Sequence, residues 1–232
     1  MPVLAGVWRT AHVNRYVKKV TIGENNEKGL SVRVDWVLSD IQVPYTMEYL
    51  VRDNGTVIVT GSIDLTGTKL PELPRFGMRM ELHQPYENYI DRYSGAFIGR
   101  YEDKVENQFY WYIRPQETGN KTDVRWLTLL DSGGLGVKIT GLQPISFSAL
   151  HFSPEDLDPG LTRKLQHTID IVPQKNIFLH VDLKQRGLGG DNSWGMYPHN
   201  EYRLLDKKYT YSYMIELVEK GSDKNDYLNS RK

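Results

Sequence analysis

Alternation of apolar and polar residues at every second position runs through most of this chain and commits it to half-buried β-strands. Leu30, Val32, Val34 and Trp36 alternate with Ser31, Arg33 and Asp35. Phe76, Met78, Met80 and Leu82 alternate with Gly77, Arg79, Glu81 and His83, and Tyr211, Tyr213, Ile215 and Leu217 with Thr210, Ser212 and Glu216. Successive side chains on a strand point to opposite faces, so each run predicts one buried and one wet face. Less regular runs at 42–52, 56–65, 123–131, 135–140, 145–152 and 177–183 read the same way. Asp53-Asn54-Gly55 predicts a hairpin turn between two of them. One short helix is expected after Ser153, with Pro154 in its first turn and Glu155 and Asp156 at its positive end. A second helical piece is expected at 161–167.

These elements predict an all-β, mostly antiparallel chain, with residues 1–218 as a single β-sandwich domain and a charged, loose tail at 219–232. A length of 232 residues suits one such domain. Lys+Arg and Asp+Glu both total 29, giving zero net charge, which argues against nucleic acid as a partner and gives no polybasic membrane signal. Without cysteine there is no disulfide, thiolate or cysteine-held zinc. The absence of cysteine leaves the compartment open. The opening from Met1 to Trp8-Arg9 lacks a charged leader and reads as a cut through a larger protein.

Chemistry concentrates in three stretches. In Gly187-Leu188-Gly189-Gly190-Asp191-Asn192-Ser193-Trp194, the glycines permit positive φ and close approach to a neighbour. Asp191, Asn192 and Ser193 can bond the local main chain in a tight turn. Trp194 then stands either as a plate offered to a ring-shaped ligand or as a cap over the core. In the second stretch, Pro85, Glu87, Asn88, Tyr89, Asp91 and Arg92 form a polar loop, read either as a sugar contact or as a self-satisfied structural knot. The third, from Tyr112 to Trp126, contains Glu117 and Arg125 in a long loop feeding a strand; a stapled turn is the simpler reading. The six histidines show no metal-ligand spacing. His180 and Asp182 share one strand face and are expected as a hydrogen-bonded pair on an outward side. No pair of carboxylates can be picked out for glycoside hydrolysis.

Together these stretches resemble the C-terminal domain of bacterial glycoside hydrolase family 2 β-galactosidases, the fifth or small-chain domain. The Pro85, Glu87-Asn88-Tyr89, Asp91-Arg92 series matches one motif of that family. Pro115, Glu117 and Gly119, with Arg125 after them, match a second, and Gly187 to Trp194 a third. The resemblance runs from about Trp8 to about Val218. The family's acidic stretch at the start of this domain has no counterpart here.

The resemblance implies a large antiparallel β-supersandwich, similar to galactose mutarotase. It implies that Trp194 contributes to the second-sugar (aglycone) subsite of the whole enzyme, in contact with a β-galactoside or oligosaccharide. Gly189, Gly190, Asp191 and Ser193 would support the loop, and Glu87, Asn88, Tyr89, Asp91, Arg92, Glu117 and Arg125 would be structural. The catalytic glutamates would lie in a barrel outside this chain, leaving no catalytic residue here. Mg²⁺ and Na⁺ would likewise belong to the parent enzyme, whose remaining domains are the expected partners and whose homo-oligomeric state stays open. The alternative is a free-standing aldose 1-epimerase-like or carbohydrate-binding protein, with His180 and Asp182, or His151 and Glu201, as its acid–base pair.

Overall fold

The computed structural model describes residues 5–83, 86, 88–94, 98–109, 115–158, 167–192 and 194–219, with the backbone alone for 88–94, 98–103, 107 and 108. The proposed tail beyond 219, the second helical piece at 161–166, and Pro85, Glu87 and Ser193 lie outside them. The described chain is nearly all antiparallel β, as the alternation predicts. Its strands are β1 (Arg15–Ile22), β2 (Leu30–Leu38), β3 (Val43–Val51), β4 (Val57–Asp64), β5 (Arg75–Leu82), β6 (Asn88–Ser94), β7 (Ile98–Lys104), β8 (Lys121–Leu130), β9 (Gly136–Leu150), β10 (Ile177–Gln185) and β11 (Lys208–Val218). Two one-turn helices accompany them, α1 (Trp8–Ala11) and α2 (Pro154–Leu157). Contacts divide the chain into two units, Met1–Met78 with Asp182–Tyr213, and Arg79–Val181 with Met214–Lys232. The division passes through β5, β10 and β11.

In the first unit β1 to β4 form an antiparallel series in chain order, and the first half of β11 follows β4. Thr60 and Ser212 hydroxyls share a hydrogen bond of 2.8 Å across that last pairing. The Asp53-Asn54-Gly55 turn joins β3 to β4: Asn54 Oδ1 accepts from the Thr56 N–H at 3.0 Å, and Gly55 sits at a φ of 82°. Tyr209, Tyr211 and Tyr213 project to one face, and Phe76 meets the first two rings at 5.7 and 5.5 Å. Burial pushes the Tyr211 and Tyr213 hydroxyls well above the ordinary tyrosine value, because an ionised phenol is disfavoured away from water. Trp8, Leu38, Val43, Ile63, Leu73 and Leu204 belong to one buried apolar cluster of this unit.

β1 and β6–β7 are strands that the alternation did not reveal. Asn88, Tyr89, Asp91 and Arg92, expected in a loop, belong to β6, which pairs with β7 on one side and β8 on the other. The runs at 135–140 and 145–152 are one long strand, β9, irregularly paired with β8. In β11 the alternation ends at Tyr213: Leu217 is exposed and Val218 buried.

The second unit contains β6 to β9 and one half each of β5, β10 and β11. Ile145 to Leu150 of β9 and Ile177 to Val181 of β10 are buried without interruption, the pattern of strands covered on both faces. Phe109, Leu150, Phe152, Leu157 and Ile171 form a separate cluster. Beside it α2 starts as predicted. Ser153 accepts the Asp156 N–H at 3.2 Å, and Asp156 Oδ2 accepts the Ser153 N–H at 2.7 Å. The two thus satisfy each other's free donors.

Within the first unit, β5 passes β10 with no room to spare. A Cβ on Gly77 would lie 1.8 Å from Asp182 Oδ1 and 2.6 Å from its Cα. The Asp182 carboxylate is fully buried, with Arg75 Nε 2.9 Å from its Oδ2, so a displaced Asp182 would disturb that pair too. Gly77→Ala is therefore expected to destabilise the protein by about 1–3 kcal/mol, the usual cost of overpacking. Urea unfolding checks this, and an unchanged midpoint contradicts it.

Candidate functional site

Beyond β10 the chain makes an excursion from Arg186 to Arg203 and returns on itself within the first unit. The Gly187 N–H donates to the Tyr202 carbonyl at 2.7 Å, in front of a 3₁₀ turn at Asn200–Tyr202. Glu72, in the segment between β4 and β5, holds both ends. Arg186 Nε donates to Glu72 Oε1 at 3.0 Å, while Arg203 Nε and Nη2 reach Oε2 and Oε1 at 2.8 and 3.1 Å. The Arg186 side chain is only 3% exposed and that of Glu72 13%. Burial alone would raise the Glu72 carboxyl, but hydrogen bonds from Arg203 and Arg186 hold it below its ordinary value. The Tyr197 ring adds a second tie, with the guanidinium carbons of Arg186 and Arg203 5.7 and 4.9 Å from its centre. Lys184 Nζ donates to the Glu201 carbonyl.

Above this base the two limbs touch. A Cβ on Gly190 would lie 2.5 Å from the Tyr197 carbonyl oxygen and 2.7 Å from that of Met196, so only glycine lets the limbs approach this closely. Asp191 Oδ1 meets His199 Nε2 at 2.7 Å. The hydrogen bond to Asp191, with its charge, raises the His199 pKa. Asn192 Oδ1 accepts the Trp194 N–H at 2.9 Å, an Asx turn that sets the backbone direction at the tryptophan. The positive φ expected among the three glycines occurs instead at Gly195, at 99°. Gly189 has open space where a Cβ would go.

Trp194 is 91% exposed, so of the two sequence readings the core cap does not hold. Leu188 and Met196 are exposed near it in the chain. The fold therefore presents an indole in water on a loop whose base is closed by buried charge. Such an indole can lay its face against the C–H face of a pyranose.

The remaining candidates are dispersed. Arg125 is exposed on β8, and exposed Glu117 borders a small hollow in the second unit with Ser148, Phe152, Leu157 and His180. The face of β10 that carries His180 and Asp182 is not outward: both are buried, and Asp182 faces Arg75. His151 directs Nδ1 at the Gln174 and Asn176 carbonyls, at 3.0 and 3.2 Å, which makes that nitrogen a donor rather than a base. Among the described residues no three His, Asp or Glu side chains converge as a metal site. Glu72, Arg186, Tyr197, His199 and Arg203 were missed by sequence reasoning. Alternation carries no signal for them, because each acts through a partner far along the chain or across a turn.

The family model described as "Beta galactosidase small chain" matches residues 2–215. The β-galactosidase of Priestia megaterium is 31% identical over 221 residues, which are 90% of this chain and 21% of that protein. That of Streptococcus thermophilus is 33% identical over 216 residues, 85% of this chain and 20% of its own length. That of Halalkalibacterium halodurans is 28% identical over 215 residues, 86% of this chain and 21% of its length. The chain thus spans about a fifth of the length of the curated relatives it matches.

Two outcomes test the architecture of this loop. Glu72→Gln leaves the buried Arg186 facing a neutral amide and is expected to destabilise the protein by about 3 kcal/mol, the lower end of the cost of breaking a buried ion pair. An unfolding free energy unchanged from wild type would show that the clamp contributes nothing. In the wild type, the lowered Glu72 value means that its contribution is complete above the unfolded-state value and is lost as pH falls through the folded one. The His199–Asp191 pair has the opposite sign: a raised histidine stabilises fully below its ordinary value of 6.5 and loses that contribution as pH rises through the folded value. Imidazole NMR is expected to show His199 titrating above 6.5 and returning towards it in Asp191→Asn; identical titrations in the two proteins contradict the pairing.

Proposed function

This chain belongs to the β-galactosidase small chain family, and from that premise we propose that it is the accessory C-terminal domain of a retaining family 2 β-galactosidase. In this reading the whole enzyme releases terminal β-D-galactose. The acid/base and nucleophilic glutamates that the retaining mechanism requires stand in a barrel outside this chain. The unbroken family match from residue 2 to 215 supports treating the chain as one domain of that larger enzyme.

The observation that carries the reading is the exposed indole of Trp194 on a loop anchored by the Glu72 clamp. Inside the assembled enzyme Trp194 lies against the aglycone sugar, where the flat ring face offers apolar contact and little directionality. Gly190 and the Asp191–His199 pair set the loop's shape, and Gly189 and Ser193 are assigned to the same supporting role. Glu117 and Arg125, and the series Glu87, Asn88, Tyr89, Asp91 and Arg92, serve the domain's structure. Mg²⁺ and Na⁺ act at the barrel site of the parent. The substrate is a β-galactoside or an oligosaccharide, and the other domains of the parent are the partners.

The chain alone is expected not to hydrolyse o-nitrophenyl galactoside, and activity is expected when it is combined with the barrel-containing remainder. Hydrolysis by the chain alone would reopen the assignment of roles. In the assembled enzyme, Trp194→Ala is expected to weaken acceptor-sugar handling by about 1–3 kcal/mol, the range that alanine substitution gives for ring stacking in other sites. Unchanged kinetics with lactose and with galactosyl acceptors would remove Trp194 from the subsite.

A further inference from the structure

One face of the β1–β4 series is apolar along its whole width but covered only on one side. The register aligns Val17 with Trp36, Val20 with Val34 and Ile22 with Val32. Those β2 residues align in turn with Tyr45, Met47 and Tyr49 of β3, which continue to Ile63, Gly61 and Val59 of β4. At β4, Val59 and Ile63 are buried. Across β2 and β3 the face is half-buried. At β1 it lies open: Val17 is 45%, Val20 54% and Ile22 68% exposed. A β-bulge between Val17 and Lys19 lets three apolar residues at irregular spacing share this face.

The opposite face of the same strands is finished with polar groups. Arg33 Nε lies 3.0 Å from Asp35 Oδ1 and its Nη1 2.9 Å from Glu48 Oε1, and the Thr46 hydroxyl donates to Asp35 at 3.0 Å. One side of the sheet is thus built for water and the other ends in uncovered aliphatic surface, an arrangement that marks an interaction face.

We propose that the β1 end of this face is the seat of another part of the larger β-galactosidase, a segment with apolar side chains flanked by carboxylates. The inference rests on the reading that the chain works within such an enzyme, and its length, its charge and the geometry of the face support this occupant. The chain spans about a fifth of its relatives' length, so most of the polypeptide that could cover the face lies outside it. On this face β1 brings the cation of Arg15 over the Trp36 ring, whereas Lys19 aligns with Asp35 on the polar face, and β1 has no acidic residue; the uncovered end thus favours a partner with carboxylates. An identical copy brings the same cations against themselves, and the bulge and lysines of this edge strand discourage addition of another strand. A sugar is disfavoured on the central indole, because Trp36 is stacked against Tyr45 at 6.0 Å and has Arg15 5.2 Å from its ring centre.

The test places the photo-crosslinker p-benzoylphenylalanine at Ile22, and as a control at Thr21, in this chain assembled with the remainder of its enzyme. Ile22 is expected to cross-link to peptides of the remainder and Thr21 not to. In parallel, Val20→Asp/Ile22→Asp is expected to weaken association of the chain with the remainder at least tenfold, while the circular dichroism of the chain itself stays unchanged. Wild-type association without cross-links at Ile22 and without an effect of the double variant would overturn this docking surface alone. Failure of the wild-type chain to associate at all would overturn the larger reading, and the docking surface with it. Cross-links from Ile22 only to a second copy of this chain would replace the proposed occupant.

Discussion

A single carboxylate held between two guanidiniums determines how this chain presents Trp194, the most exposed aromatic side chain among the described residues. Glu72 meets Arg186 where the excursion leaves β10 and Arg203 where it returns, so one acidic group closes the loop at its neck. The three charges are largely withdrawn from water, which makes the arrangement costly to assemble and more costly to break. Everything above the neck relies on smaller terms: a bare Gly190 that lets two strands of backbone touch, an Asx turn, and an ion pair open to solvent. The entropy of ordering the loop is met mainly at its base, leaving Trp194 free of contacts that would bury it.

The same division between a settled side and an open one recurs in the β1–β4 series. Its apolar face passes from full burial at β4 to exposure at β1, while its polar face is internally paired. Taken with the exposed indole, this is the surface expected of a part whose remaining contacts come from a longer polypeptide. The relatives it matches are proteins about five times its length that carry the name β-galactosidase.

Where sequence reasoning succeeded and failed follows from what period-two patterns can encode. β2 and β5 keep strict alternation and were legible, as was the capped start of α2. β1 was hidden because its bulge puts Val17, Val20 and Ile22 on one face at unequal spacing. β6 was hidden because polar residues occur at both parities of Asn88-Tyr89-Ile90-Asp91-Arg92-Tyr93. The turn before Trp194 was readable from local residue types, since Asn192 bonds only two residues ahead. Its anchor was not, because Glu72 and Arg186 are 114 positions apart, and no local pattern ties a carboxylate to a guanidinium over that distance.

What Trp194 meets when a sugar is bound decides whether it belongs to the proposed aglycone subsite. The direct measurement is a structure of the whole β-galactosidase carrying a bound disaccharide. The indole is expected within about 4 Å of the second sugar, the range of apolar contact, with its ring against the pyranose C–H face. A Trp194 side chain packed into another domain, or left in solvent while the disaccharide is bound, would contradict it.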